Sequence, residues 1–393
     1  MISKKKLYTA TWMDYVLMLL IVALTGFEFC YNYAPGIFFL VGPLALLMCI
    51  IRRRELNIKI YVFFAILLIW CIFQIITGQS TQSAMINFYI RFIIYLMAAL
   101  SINEFEKVFV RIIYVFALIS IPCWIISNYI PGGYNFLTST FPNFTYNGLG
   151  LNDVDSSNPG VSIGFYYVSM GSRNNGPFWE AGMFALFLNI AYLFHILKSH
   201  NPLDKTSLVF LFCIFSTFST TGYIAGFLIL GWYYTIIEFK PQSLILLPLI
   251  ALGVFYFLNS DFGISKINEI AERKQEDSRF AAIMYHLSLL QDCWISGRGF
   301  ASESREMLLS PNGISFVFLF WGLPFAIYYY YLLFSSSVKI AFELSNSHNE
   351  KYIFIIFSVL IIVIFSQDVS TRHFYYFLLM YPLVPYHKFK PTK

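Results

Sequence analysis

About a dozen apolar runs, most of them long enough to cross a bilayer, decide what this chain can fold into. They fall roughly at 14–32, 35–51, 59–77, 86–102, 108–130, 179–197, 206–221, 223–239, 243–258, 313–335, 352–366 and 374–387. Hydrocarbon offers no hydrogen bonds, so a segment inside it must satisfy its own backbone, which an α-helix does. The expected fold is an all-α integral membrane protein, one polytopic domain over residues 1–393 with about twelve transmembrane helices. Composition agrees: only 12% of residues are charged, about half the share of soluble domains.

The placement of charge orients the bundle. With the N-terminus inside, most of the 26 Lys and Arg fall in cytoplasmic segments, among them Lys4–Lys6, Arg52–Arg54, Lys107, Arg111, Lys198, Lys205, Lys339 and Lys351. Both termini are then cytoplasmic, and two long loops, 131–177 and 259–312, face outward. Met1–Lys6 is basic, but the apolar run after it is long enough to span and has no clear small-residue cleavage site, so it is read as the first helix. Five of the six cysteines sit in apolar runs and form no disulfide framework. A net charge of +5 gives no sign of a nucleic-acid partner.

The first loop, rich in Asn, Gly, Ser and Pro over Asn147–Gly160, reads as irregular coil. In the second, Ile267, Ile270, Phe280, Ile283, Met284, Leu287 and Leu290 recur mostly at three- and four-residue steps, the pattern of one or two amphipathic helices on the outer membrane surface.

The chemistry is expected at that outer face. Arg173–Ala185, RNNGPFWEAGMFA, places polar loop residues at the mouth of a helix, with Glu180 in its first turn, facing a site at the membrane boundary. Arg173, Arg279, Arg298, Arg305 and Arg372 all lie outside, and Arg91 near the outer end of its helix. Guanidinium is permanently charged and presents a planar fork suited to phosphate oxygens. If Arg91 faces the bundle rather than the headgroups it needs an anionic partner, since a charge near mid-membrane costs about 2.5–3.5 kcal/mol or more. Gly297–Phe300, GRGF, marks a turn that can aim backbone N–H groups and Arg298 at an anion. Ser219–Tyr223, STTGY, either breaks a helix pair so that Thr220 and Thr221 line a cavity, or packs small residues between helices. No phosphate-binding Gly-rich loop, no metal-spaced His pair and no nucleophile elbow is present; the six His are scattered, and no cofactor is expected.

The order of these pieces resembles the O-antigen polymerase/ligase superfamily of bacterial envelope glycan assembly, which includes the Wzy-type polymerases. Four segments carry the resemblance: Arg173 through Gly182, Ser219 through Tyr223, Arg279 followed by Gly297–Gly299, and Pro311-Asn312 followed by Gly322. It covers roughly residues 170–335. The resemblance implies a metal-independent glycosyltransferase of the bacterial cytoplasmic (inner) membrane. Its site would face outward, and its substrate would be an oligosaccharide on undecaprenyl diphosphate. It also implies a flippase and a chain-length regulator as pathway partners, for O-antigen, capsule or exopolysaccharide. Ligases of the superfamily have a His before the Asn; here Pro311 stands there, which tilts the reading to polymerase. On this reading Arg173, Arg279 and Arg298 clamp the diphosphate, Arg91 adds a fourth charge, and Thr220, Thr221, Asn312 and Arg372 line the substrate. Glu180 either orients an arginine, the favoured role, or takes the acceptor hydroxyl's proton. A ligase and a secondary transporter are the alternatives; an outward cavity with a closed cytoplasmic side would favour the enzyme.

Overall fold

Helices start where a polar side chain takes the N–H groups that a first turn leaves unpaired. The computed structural model describes residues 9–144, 160–169, 172–237, 279–299, 312–345, 349–367 and 369–385. Their order is α1 (Trp12–Gly26), α2 (Cys30–Ile51), α3 (Ile58–Ile76), α4 (Gln82–Ser101), α5 (Phe105–Tyr129), α6 (Gly133–Thr140), β1 (Val161–Ser162), β2 (Tyr167–Val168), α7 (Ala181–Ser199), α8 (Lys205–Ser216), α9 (Thr220–Trp232, continued by one wider turn to Ile237), α10 (Arg279–Leu290), α11 (Gly313–Ser345), α12 (Glu350–Ser366) and α13 (His373–Met380). Asn57, Thr81, Asp204, Ser219 and Asn349 cap α3, α4, α8, α9 and α12 through their side chains.

Among the described residues seven helices are long and apolar enough to cross a membrane: Tyr33–Ile51, Ile58–Ile76, Gln82–Ser101, Phe105–Tyr129, Ala181–Ser199, Thr220–Ile237 and Gly313–Ser345. Two shorter apolar helices, Trp12–Gly26 and Lys205–Ser216, run beside them. This is the architecture of a multi-pass membrane protein. The expected span 243–258 lies outside the described residues.

The helices share two ends. At one, Arg52 pairs with Asp14, Asn103 joins them, and Ala10 N donates to Glu104. Lys351 reaches the end of α9 there, and Lys339 the end of the described chain near Val384. This is the basic end. The other, the loop end, carries the β1–β2 hairpin, Arg173, Glu180 and Gln367. The core between them is aromatic: Phe109 and Phe374 stack at 4.9 Å, Phe187 and Phe374 meet at 5.3 Å, and Phe105 and Phe377 at 5.0 Å. α7 is buried along almost its whole length, which explains an apolar sequence on every face. Its one interior amide, Asn189, donates from Nδ2 to Ala185 O and Gly222 O at 2.7 and 3.0 Å, while its Oδ1 is buried without a hydrogen-bond partner among the described residues.

Four boundaries differ from expectation. The first two spans divide at Phe27–Phe29, because the Phe27 backbone bridges Phe178 and stops α1. α4 begins at Gln82, four residues early, under the Thr81 cap. The α8–α9 turn falls at Thr217–Ser219, with Phe218 left-handed at φ 48°; Gly222 is helical instead. A Cβ there would come within 2.6 Å of Ala185 Cβ, so the glycine serves close packing of α9 on α7. The first outer loop is not wholly coil: α6 and the hairpin pack Leu137, Ile163, Tyr166 and Val168 against Cys123 and Trp124 of α5. Residues 145–159, most of the segment read as coil, lie outside the described residues.

Candidate functional site

The segment before α7 is held from several sides. Asn174 Nδ2 donates to Ser120 and Ser216 at 3.1 and 2.9 Å, and Asn174 N to Ser216 O at 2.9 Å. Glu28 N donates to Pro177 O, and Trp179 N to Gly26 O. Asn174 is therefore a buried fastener, and neither it nor the buried Asn175 lines the membrane boundary as expected. Arg173 donates from Nε to Thr217 O at 3.1 Å, which ties it to the α8–α9 turn.

Glu180 stands at the N-cap of α7, just before the first turn, and makes no capping bond. Its carboxylate accepts from Gln367 Nε2 at 3.2 and 3.3 Å. The arginine-orienting role expected for it is thus not what the geometry displays: its partner is an amide. Beside it, the Arg372 guanidinium lies 5.3 Å from the centre of the Trp179 ring, a cation–π contact.

Arg91 sits about 14 Å into α4 from the loop end, at 1.5 Å per residue, and not near the helix end as expected. It turns into the bundle, 6.0 Å from the centre of the Phe38 ring, and its Nε is buried without a hydrogen-bond partner among the described residues. The Phe38 ring also meets the His373 ring, at 5.8 Å; His373 opens α13 directly after Arg372 and bonds through Nδ1 to the Tyr95 hydroxyl. The structure thus brings together Arg91, Arg372 and His373, with Trp179 and Glu180 alongside.

The remaining residues stand elsewhere. Arg298 donates from Nε to Leu289 O at 3.2 Å and from its backbone N to Leu319 O. The N–H groups of Gly297 and Gly299 go to Cys293 O and Phe320 O, so this turn presents no backbone anion cradle, contrary to expectation; it docks α10 on α11. Asn312 is buried and caps α11 through Oδ1, accepting from Ile314 N and Ser315 N. Thr220 is exposed and Thr221 half-buried at the start of α9. Arg279 opens α10, with its side chain outside what the structure describes; Arg305 and Pro311 also lie outside it.

Three residues gain a place that the sequence did not reveal. His373 is one. His286 of α10 is the second: its Nδ1 meets Ser315 Oγ at 2.8 Å, and Ser315 in turn touches Asn312. An imidazole therefore stands near Asn312 although position 311 is proline. Glu28, between α1 and α2, is the third. It is half-buried, and burial raises its carboxyl above the ordinary range. A lone acid in the apolar stretch Phe27–Tyr33 was a readable signal.

Guanidiniums near an imidazole can hold an anion and accept a proton next to it. Among the described residues no group of three or more His, Cys, Asp or Glu side chains is placed to hold a metal ion. No family model matches the chain, and no curated protein matches it either.

Proposed function

We propose that this protein is a polymerase of lipid-linked glycan repeat units, working at the outer face of the bacterial cytoplasmic membrane, with the loop end outward. The observation that carries the proposal is the meeting of Arg91 and His373 on the Phe38 ring, at 6.0 and 5.8 Å, with Arg372 directly before His373 in the chain and Arg91 Nε buried without a hydrogen-bond partner among the described residues. Arg91 is half-buried, and a cation part-way into the bundle is costly unless an anion meets it. A diphosphate whose lipid tail stays in the bilayer delivers that anion at this depth.

In the reaction, an acceptor sugar hydroxyl attacks the anomeric carbon of the growing chain. The bond from that carbon to the diphosphate oxygen breaks, and the diphosphate leaves on its lipid with the electron pair. Arg91 and Arg372 stabilise the developing charge, and His373 takes the hydroxyl proton. Arg173 and Arg298 each hold a carbonyl through Nε, so they would meet substrate only through their terminal nitrogens.

A transporter reading has one observation in its favour: a cavity of about 540 Å³ at the basic end, where the enzyme reading expected closure. Against it, Phe105, Phe109, Phe187 and Phe374 fill the bundle between that cavity and the loop end. Deleting the gene in its host and resolving surface and lipid-linked glycan on gels tests the proposal. Collapse of a ladder to single repeat units, restored by the wild-type gene, is expected. Long chains stranded on the lipid carrier would mean a ligase instead, and an unchanged ladder would reject both.

A further inference from the structure

The basic-end cavity is a wedge between α5, α7 and the start of α8, closed by Leu344 of α11. At about 540 Å³ it falls in the size range of ligand sites. Its wall is apolar: Val110, Tyr114, Phe194 and Leu344. Its rim is charged. Lys107 and Glu104 pair with each other at 3.1 Å, and Glu106 turns away to accept from Tyr381 OH at 3.4 Å. That leaves Arg111 and Lys198, both exposed. Arg111 donates to Tyr15 OH, and Lys198 stands in the field of Glu104 and Glu106, but neither cation has a carboxylate within ion-pair distance among the described residues.

We propose that this cavity binds one anionic glycerophospholipid, its phosphate on Arg111 and Lys198 and an acyl chain along Val110, Tyr114 and Phe194. Charge and wall together select the occupant. An apolar slot at the membrane end of a bundle suits an acyl chain, and two exposed cations at its lip, neither in an ion pair among the described residues, suit an anionic headgroup. The chain's own flanking segments are the wrong sign: residues 1–8 and 386–393 carry Lys4, Lys5, Lys6, Lys388, Lys390 and Lys393 and no acid. An acidic soluble peptide would satisfy the rim and leave the wall bare. The proposal is independent of the reaction at the loop end.

The test uses the full chain purified in a neutral maltoside detergent. Dioleoylphosphatidylglycerol, dioleoylphosphatidylcholine and inorganic phosphate are titrated separately, with bound lipid counted by native mass spectrometry and Tm followed in parallel. The anionic lipid is expected to bind at one saturable site and raise Tm, while the zwitterionic lipid and phosphate do neither at equal concentration. The double variant Arg111→Gln/Lys198→Gln should weaken that binding about tenfold or more. Val110→Trp, which fills the slot, should abolish it. Equal binding of the two lipids, or anionic binding untouched by the double variant, would overturn the proposal. Phosphate raising Tm as well as the lipid does would replace it with a simple anion site. Should Val110→Trp fail to fold, the double variant decides alone, because both its side chains are on the surface.

Discussion

Gln367 Nε2 donates to both carboxylate oxygens of Glu180, at 3.2 and 3.3 Å, and so fastens the end of α12 to the start of α7. Gly182 leaves the room for that contact: a Cβ there would lie 2.9 Å from Glu180 Oε1 and 3.1 Å from Gln367 Nε2. Gly182→Ala should therefore push the pair apart. Both atoms belong to side-chain ends that can move, so the cost is expected near the low end of overpacking, about 1 kcal/mol. Thermal unfolding in detergent would measure it. Adding Gln367→Ser, which vacates the space, should recover most of the lost stability. If Gly182→Ala alone leaves Tm and glycan chain length unchanged, this contact is not part of the site.

Arg91 comes toward His373 from the middle of α4, while Arg372 is the N-cap residue directly before it on α13. If they share the diphosphate charge, replacing either with Ala should lower polymer formation by about 100- to 1000-fold, the usual loss when one preorganised donor to a developing charge is removed. Arg91→Lys should recover only part, since ammonium keeps the charge and loses the fork. Lipid-linked repeat units extended in membranes of a deletion strain, at matched protein level, give the measurement. Full extension by both Ala variants would remove the pair from the mechanism.

Hydropathy was enough to read most of the helices, because the bilayer enforces one solution for an apolar run. It was blind to depth and partner. Arg91 looked like a rim residue because the apolar run starts at 86, while the Thr81 cap begins the helix at Gln82. Glu180 looked like a partner for arginine, but a residue far along the chain, Gln367, reaches it first. His286 and His373 passed as scattered histidines, since only tertiary packing sets one against Ser315 and the other against Tyr95. The glycines of GRGF were legible as a turn; that its N–H groups go to Cys293, Leu319 and Phe320 depends on a kink elsewhere, at Gly322.

That kink gives a further prediction. Gly322 sits inside α11 at φ 70°, ψ 167°, and a Cβ on it would overlap the Ile295 carbonyl and come within 2.7 Å of Gly297 N. Positive φ with ψ near 180° is populated almost only by glycine and costs other residues about 1–3 kcal/mol, and here the obstruction is backbone that cannot swing aside. Gly322→Ala should destabilise by more than about 2 kcal/mol and release the Cys293–Gly299 segment from α11. Limited proteolysis should then cut within 293–299 faster than in the wild type. An unchanged digestion pattern would mean that the kink does not depend on glycine.

At the basic end, Arg52 grips Asp14 with both terminal nitrogens, each at 2.7 Å, and Asp14 is fully buried. Thr11 N and Asn103 N also donate to that carboxylate, at 2.7 and 2.8 Å, while Arg52 continues to Ser101 O and to Thr11 Oγ1. One ion pair thus joins α1, the end of α2 and the α4–α5 turn. Removing either partner leaves a buried charge unmatched, so Asp14→Ala and Arg52→Ala should each cost about 3–5 kcal/mol. Burial shields the pair from ions, so raising salt should shift Tm little. Replacing both at once, Asp14→Leu with Arg52→Met, removes the unmatched charge and should return much of the loss, because well-packed apolar side chains can substitute for a buried pair. If the double variant is as unstable as the single ones, the hydrogen bonds to Thr11, Ser101 and Asn103 hold this corner together, and the charges themselves do not.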